Sequence, residues 1–435
     1  MKFSNFNDQS FDVIVCGAGS AGVAAACAAA KEGARTLLLE RHGYGGGIMT
    51  AAMIHTFDAI KSCQDNDVTV VGGFASELLA EIEVLGGLVT ADNPGEALTV
   101  HPEIHKVAID RLLERHGVTT LYHAPVCGVL LQGERVTGVE ASLRDGRARL
   151  KAAVTIDGTG DAEIAHQAGV VWSLDKELQA MTYHFRLGGI DAAPDWQQWE
   201  KLTRDALQAA HGAGEIGVFG GPWIIRMNAA EISLNTTRVY GNPVDPVQIS
   251  DAERKARAQM VQIWEILRRR VPQLARSYIL AGASQLHIRE SRKIHGDYML
   301  TEEDIRNGTR FPDAIAVGAW PIDIHPTNGR VGVHPHKDEA PVPYEIPYRC
   351  LVPRVVEGLL VAGKPISTTH RAHGSTRVPG TSIATGQAAG VAAALAARLR
   401  VDPRRIDVAH LRQRLLAQKA IVSAGGAVGT VPGRS

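Results

Sequence analysis

The chain has 435 residues, enough for two or three folding units of roughly 100 to 200 residues each. Lys plus Arg and Asp plus Glu both number 46, so no global basic field exists to attract nucleic acid or an anionic membrane. Aromatic residues make up only 5%, too few for a base-stacking platform, and the 45 glycines lack a three-residue period, which implies tight turns rather than collagen.

The five cysteines (Cys16, Cys27, Cys63, Cys127, Cys350) are widely spaced and contain no Cys-x-x-Cys pair. This predicts a reducing compartment without a zinc ribbon or dithiol centre. The first ten residues carry no signal-type apolar run and no stretch of 18 apolar residues occurs, so a cytoplasmic protein outside the membrane is expected.

In chain order, residues 11–16 (FDVIVC) predict a strand, residues 20–32 an Ala-rich helix, and residues 35–40 (RTLLLE) a second strand ending in an acid. Amphipathic helices are predicted at 74–85 and 101–115. Residues 126–132, 135–143 and 149–156 predict a β-meander, with turns at Gly133-Glu134 and Asp145-Gly146. From about 161 to 336 the pattern is irregular, with a polar helix at 251–270. A strand at 359–362, a loop and an Ala-rich helix at 382–399 follow, and the Gly-rich tail 423–435 is expected to fray.

Gly17-Ala18-Gly19-Ser20-Ala21-Gly22 lies directly between the first strand and the first helix. The first Gly permits the turn, the second lets backbone approach a pyrophosphate, and the third lets helix pack on strand, leaving the helix N-terminus to face phosphate. Glu40, at the end of the next strand, is placed to accept hydrogen bonds from a ribose. No second such motif follows, so no dedicated NAD(P)H domain is expected.

After Glu40 come Arg41 and the pair Gly46-Gly47, then Thr50. Further on lie Thr159-Gly160-Asp161, Arg289-Glu290-Ser291-Arg292, Trp320-Pro321-Ile322-Asp323-Ile324-His325, and the run from Gly363 through Ala372-His373-Gly374-Ser375-Thr376-Arg377 to Gly386-Gln387. With these segments the chain, from Phe11 to about Leu399, resembles the FAD-dependent oxidoreductase family of the glutathione-reductase-like superfamily. Relatives usually carry Met-Pro where Pro379-Gly380 stands here.

The resemblance implies an α/β fold. A discontinuous Rossmann-type FAD domain is expected from residues 1–165 and 341–400, around an inserted α+β substrate-side domain at 166–340. Residues 401–435 would form a C-terminal helix and flexible tail. It implies FAD held by Gly17, Gly19, Ser20, Ala21, Gly22, Glu40, Arg41, Gly46, Gly47, Thr50, Val126, Gly160, Asp161, Gly363, Gly386 and Gln387. The N-terminus of the 382–399 helix would face the flavin pyrimidine, where its dipole favours negative charge.

Hydride transfer to a flavin needs a proton carrier and a clamp for substrate anions. His373 is the first candidate for the proton, followed by His370 and His325, with a hydrogen-bonded loop histidine the competing account for each. Arg377, Arg289 and Arg292 are candidate carboxylate clamps, although Arg289-Glu290-Ser291-Arg292 equally suits a structural ion-pair web. Tyr298 is a weaker acid candidate, and His325 or His373 are the residues suited to covalent flavin attachment. Met49, Met53 and Ile54 read as packing toward the flavin. His287, His295, His334 and His336 form a loose set without metal-site spacing, so no metal is expected.

The leading expectation is a dehydrogenase or oxidase acting on a small polar metabolite, for which the resemblance suggests a carboxylate, with a separate electron acceptor or oxygen. A homo-oligomer is left open. The alternatives are a flavin monooxygenase, revealed by NAD(P)H consumption coupled to oxygen uptake, and a non-catalytic FAD-binding scaffold, revealed by tight FAD without turnover.

Overall fold

The computed structural model describes residues 6–89, 98–190, 196–325, 341–426 and 428–429. Strand β1 (Ser10–Cys16) is buried from Val13 onward and pairs in parallel with β2 (Thr36–Leu39), after the Ala-rich α1 (Ser20–Lys31) has crossed between them. Strands covered on both faces lose polar alternation, which is why TLLL is uniformly buried. Helices α2 (Phe74–Val84) and α3 (Pro102–Arg115) lead to β3 (Thr119–Leu121), which adds in parallel to β2.

The meander then forms as β4 (Val126–Gln132), β5 (Arg135–Leu143) and β6 (Gly146–Asp157). The long β6 has two jobs. Its first half closes the meander, while its second half runs parallel to β1, with Val13 opposite Val154 and Cys16 opposite Asp157. Asp157 therefore ends its strand beside the glycine turn that starts at Gly17.

The chain leaves this sheet at Asp157 and returns to it at Leu359. In between it builds β7 (Phe185–Gly188), α4 (Trp196–Gly212), β8 (Trp223–Asn228), β9 (Glu231–Asn235), α5 (Pro246–Arg270) and β10 (Tyr278–Gly282). The four strands form an antiparallel sheet in the order β8-β9-β7-β10. Phe185, Leu187, Ile232 and Leu234 face a core with Trp199 and Leu207 of α4 and Ile263 and Leu267 of α5. The pleat turns Arg186 and its cross-strand partner Ser233 to the opposite face.

The short pair β11 (Ala314–Gly318) and β12 (Tyr344–Pro347) precedes β13 (Leu359–Val361), which rejoins the parallel sheet next to β6. Helices α6 (His370–Thr376), α7 (Pro379–Leu399) and α8 (Val408–Ala417) complete the fold. The crossing of α7 on α1 is backbone on backbone. A Cβ at Gly386 would lie 2.1 Å from the Ala21 carbonyl oxygen, and one at Gly390 2.1 Å from that of Ala25.

Three expectations change. The irregular stretch contains a four-stranded sheet, which its short strands with mixed polarity had concealed. Residues 370–377 are not a loop: Thr369 accepts a bond from the Ala372 amide and starts α6 there. Helix α7 begins at Pro379 rather than 382, because proline at the first helical position needs no amide partner. His334 and His336 lie outside the described residues. Of the tail, Val428–Gly429 pairs with Val68–Thr69. Among the described residues no helix is long and apolar enough to cross a membrane.

Candidate active site

A cleft with about 1150 Å³ of free space, its mouth included, opens at the carboxyl ends of the parallel strands. Gly17, at φ +92°, turns the chain there, and its amide donates to the Leu39 carbonyl. A Cβ at Gly17 would meet the Gly158 carbonyl oxygen at 2.7 Å, one at Gly22 the Gly17 carbonyl oxygen at 1.8 Å, and one at Gly47 the Gly19 Cα at 2.8 Å. Those glycines are required by protein packing. Gly19 differs, because its φ of −73° suits any residue and a Cβ there would find protein no nearer than 3.9 Å.

Ser20 and Ala21 line the cleft at the N-terminus of α1, together with Gly19, Glu40, Arg41, Val126 and Gly160. Glu40 is buried, and its two carboxylate oxygens accept the Ala18 amide at 2.7 Å and the His42 amide at 2.8 Å. Gly46 sits behind the wall, donating to the Ala18 carbonyl, and Thr50 supports that turn by donating its hydroxyl to the Gly45 carbonyl. Gly363 and Ser382 close the far side.

Gly386 and Gln387 stand apart from the cleft lining. Gly386 serves the helix crossing, while Gln387 accepts the Phe74 amide at 3.0 Å and so caps α2. Asp161 faces the cleft, held by the Ser291 hydroxyl at 2.6 Å and the Lys364 ammonium at 2.9 Å. Burial raises its carboxyl, but Lys364 and Ser291 outweigh that and keep it ionised. Lys364, which the sequence reading did not single out, also donates to the Ile288 carbonyl.

The opposite wall is built from side chains. Arg289 and Arg377 line the cleft and are 2% and 7% exposed. Arg377 pairs with Asp323 at 2.9 Å, whereas Arg289 donates to the Ala180 carbonyl at 2.7 Å and to the Thr182 hydroxyl, and meets no carboxylate of its own among the described residues. Buried Arg238 reaches His325 at 3.4 Å. Burial pulls the Arg289 pKa down, and Arg377 and Arg238 pull it further, with Asp323 opposing. Arg377 bonds the Asp323 carboxylate, whose charge Arg289 and Arg238 also feel. The sequence reading missed Arg238 because no motif surrounds it.

Among the proton candidates, His325 lies against Asp323 and Trp223, with burial drawing its pKa to about 3. His373 is fully buried behind Arg289, donating from Nε2 to the Arg289 carbonyl at 3.1 Å; burial takes its pKa to about 3. His370 points away from the cleft wall to Glu290 at 2.7 Å, beside Lys293 and Asp175. Asp175, Glu290 and His370 are close enough to hold a cation, but the buried Lys293 ammonium already bridges the two acids. Arg292 stacks over Trp172 and donates to the Asp161 carbonyl, and Tyr298 donates to Asp304. The histidines that do line the cleft are His42 and His287.

The profile of the FAD-dependent oxidoreductase family matches residues 12–415. The chain belongs to that family. A tRNA uridine 5-carboxymethylaminomethyl modification enzyme, MnmG of Dichelobacter nodosus, is 32% identical over 150 residues, which cover 30% of this chain and 21% of that enzyme. The chain therefore matches only about a fifth of that relative's length. A geranylgeranyl bacteriochlorophyll reductase-like protein from Thermoplasma acidophilum superposes with a TM-score of 0.50 at 12% identity, over 96% of this chain and 85% of that one. The myxobacterial chondrochloren halogenase CndH gives 0.49 at 13% identity, over 94% and 79%.

FAD is the cofactor of this oxidoreductase, and the cleft fits it. The missing side chain at Gly19 leaves the backbone open to a phosphate group that no protein atom replaces. The Ser20 hydroxyl, buried at the start of α1, has no partner among the described residues.

Proposed function

We propose that this oxidoreductase transfers a hydride between a small carboxylated metabolite and its flavin, acting as a dehydrogenase or oxidase. The observation that carries this reading is the buried trio Arg289, Arg377 and Arg238, for which Asp323 is the one neighbouring carboxylate among the described residues. Burying unbalanced cations is costly unless an anion joins them, so a carboxylate substrate completes the site. Arg289 and Arg377, on the cleft wall, bind and orient that carboxylate through charge-assisted bonds. Bound flavin supplies a two-electron acceptor for a hydride at N5. Ser382 and the first turn of α7 border the same cleft, where a helix N-terminus favours negative charge.

In this reading residues 1–165 and 341–400 are the cofactor-side unit of a glutathione-reductase-like fold, and 166–340 an inserted substrate-side unit. Gly17, Gly19, Ser20, Ala21, Glu40, Arg41, Val126, Gly160 and Gly363 contact FAD. Gly22, Gly46, Gly47 and Thr50 shape the turns beneath it. Arg292, His370 and His373 act from behind, bracing the 289–293 segment.

An anaerobic titration of the FAD-loaded enzyme with acetate, glycolate and succinate tests this. Carboxylates should shift the oxidised flavin band, whereas the matching neutral amides should not. Equal responses to acid and amide would remove the carboxylate clamp, and NAD(P)H consumption coupled to oxygen uptake would point to a monooxygenase.

A further inference from the structure

The cleft wall at His287 continues inward as a set of histidines that the carboxylate site does not use. His287 is 7% exposed, and its ring lies 6.3 Å, centroid to centroid, from that of His184. One ring nitrogen of His184 bonds the carbonyl of Met53, two residues before His55 in the chain, and His55 disfavours charge on His184. His55 bonds the Ser233 hydroxyl through Nε2 at 2.8 Å and feels His101, which is half-buried. The backbone ties the last two together, since the Val100 amide donates to the His55 carbonyl.

Each of these four rings also presents a buried nitrogen that no group among the described residues satisfies: Nδ1 of His287, Nε2 of His184, Nδ1 of His55 and Nδ1 of His101. Buried polar atoms of this kind are usually bonded, and water is the partner that would join these four. Imidazole accepts a proton on one nitrogen while releasing one from the other, so such a file conducts protons when water bridges its members.

We propose that His287, His184, His55 and His101 form a proton path from the cleft to the protein surface, with His287 exchanging the proton with the substrate. This rests on the hydride-transfer reading above. For a substrate oxidised at a carbon bearing O–H or N–H, that bond breaks and its proton goes to His287. The released electron pair becomes the second bond to carbon, and the C–H hydrogen leaves with both its electrons to the flavin. The proton then passes along the file to water, and the reverse direction runs the same steps backward.

The surroundings favour passage over storage. His287 faces Arg289, Arg377, Lys364 and His184, and His184 faces His55 and Arg289. His55 faces Arg186 and His101; His101 faces the ion pair of Arg186 with Glu231, and Glu103. Burial first, and these cations second, hold the inner three rings neutral. Among the described residues the acids that raise a ring's proton affinity are Glu231, itself paired with Arg186 at 3.0 Å, and Glu103, and both act on the half-buried His101.

The test is exchange of the histidine ring N–H protons with water, followed by NMR on the FAD-loaded enzyme labelled with ¹⁵N-histidine. His55→Gln should slow exchange at His287 by about tenfold or more, and His101→Gln, at the half-buried end, by a smaller factor in the same direction. Gln keeps a hydrogen bond to Ser233 but cannot relay a proton. Exchange at His287 that is unchanged in both variants would overturn the path, and flavin absorbance confirms that each variant is folded. Acetate should still shift the flavin band in both. If acetate fails to do so even in the wild type, the carboxylate reading falls while the exchange result is judged separately.

Discussion

The two walls of the cleft are made of different material. On the cofactor side, glycines and backbone amides do the shaping: Gly17, Gly22 and Gly47 are fixed by contacts under 3 Å that a Cβ would violate, and Glu40 is held by two amides. On the substrate side, side chains do the shaping: Thr182 holds Arg289, while Asp323 holds Arg377 and His325. A backbone-built wall is rigid and insensitive to pH, whereas a wall of buried arginines and histidines has properties set by ionisation and by what binds it.

The sharpest way to expose that difference is acid. His55, His105, His184, His287, His325 and His373 are buried, and burial lowers the pKa of every one, to about 3 for His55, His105, His325 and His373. The unfolded chain, with histidines near ~6.5, binds more protons than the folded one below that pH, so stability falls as pH drops from about 6.5 toward 3. Each group loses about 1.4 kcal/mol per pH unit, so six lose up to about 8 kcal/mol by pH 5.5, comparable to a whole domain's stability. Circular dichroism from pH 8 to 4 should show steep unfolding near pH 5. A protein still folded at pH 4.5 would mean that these histidines reach water.

On the backbone-built side the corresponding probe is a single methyl group. Gly22→Ala should cost about 3 kcal/mol of stability, the upper range for overpacking, because its Cβ would sit 1.8 Å from the Gly17 carbonyl oxygen. Gly19→Ala should leave the FAD-free melting temperature nearly unchanged while weakening FAD by about tenfold to a hundredfold, roughly 1.4 to 3 kcal/mol. Thermal melts and FAD titrations read both. Equal FAD affinity in Gly19→Ala and wild type would place the pyrophosphate elsewhere.

On the side-chain wall, Arg289→Met should weaken acetate by about a hundredfold, near 3 kcal/mol, as loss of charge-assisted bonds implies. Stability of the free enzyme should change little, since relief from Arg377 and Arg238 offsets the lost bonds to Ala180 and Thr182. A large loss of stability with acetate binding intact would make Arg289 a structural clamp instead.

The same contrast explains what could be read in advance. The strand, glycine turn, helix and terminal acid are local in sequence, so Gly17 to Glu40 and the meander were legible. The file of histidines was not, because His55, His184 and His287 come from segments that meet only in the folded chain, and a lone histidine carries no signal. His373 and His370 drew attention through their motif, yet that motif builds α6, a capped helix that turns His373 toward the Arg289 backbone and His370 toward Glu290. A motif reports that residues matter together without reporting which of them faces the substrate.

The smallest effect expected lies in that bracing network. The bond to Glu290 raises the His370 pKa, with burial opposing, so folding favours protonated His370. Such a contribution is complete below the unfolded value of ~6.5 and disappears as pH rises through the higher folded value. Glu290 is shifted the other way: burial raises it, but His370, His373 and Lys293 together hold it well below its usual range, so it stays ionised above ~4.5. The ion pair is therefore intact between those limits. His370→Gln should cost about 1 kcal/mol at pH 6, the size of a partly exposed ion pair, and close to nothing at pH 9. Urea denaturation of the FAD-loaded enzyme at the two pH values separates the accounts. An equal cost at both would show that His370 braces Arg289 by packing alone, and the side-chain wall would then be less dependent on ionisation there than it is at its buried histidines.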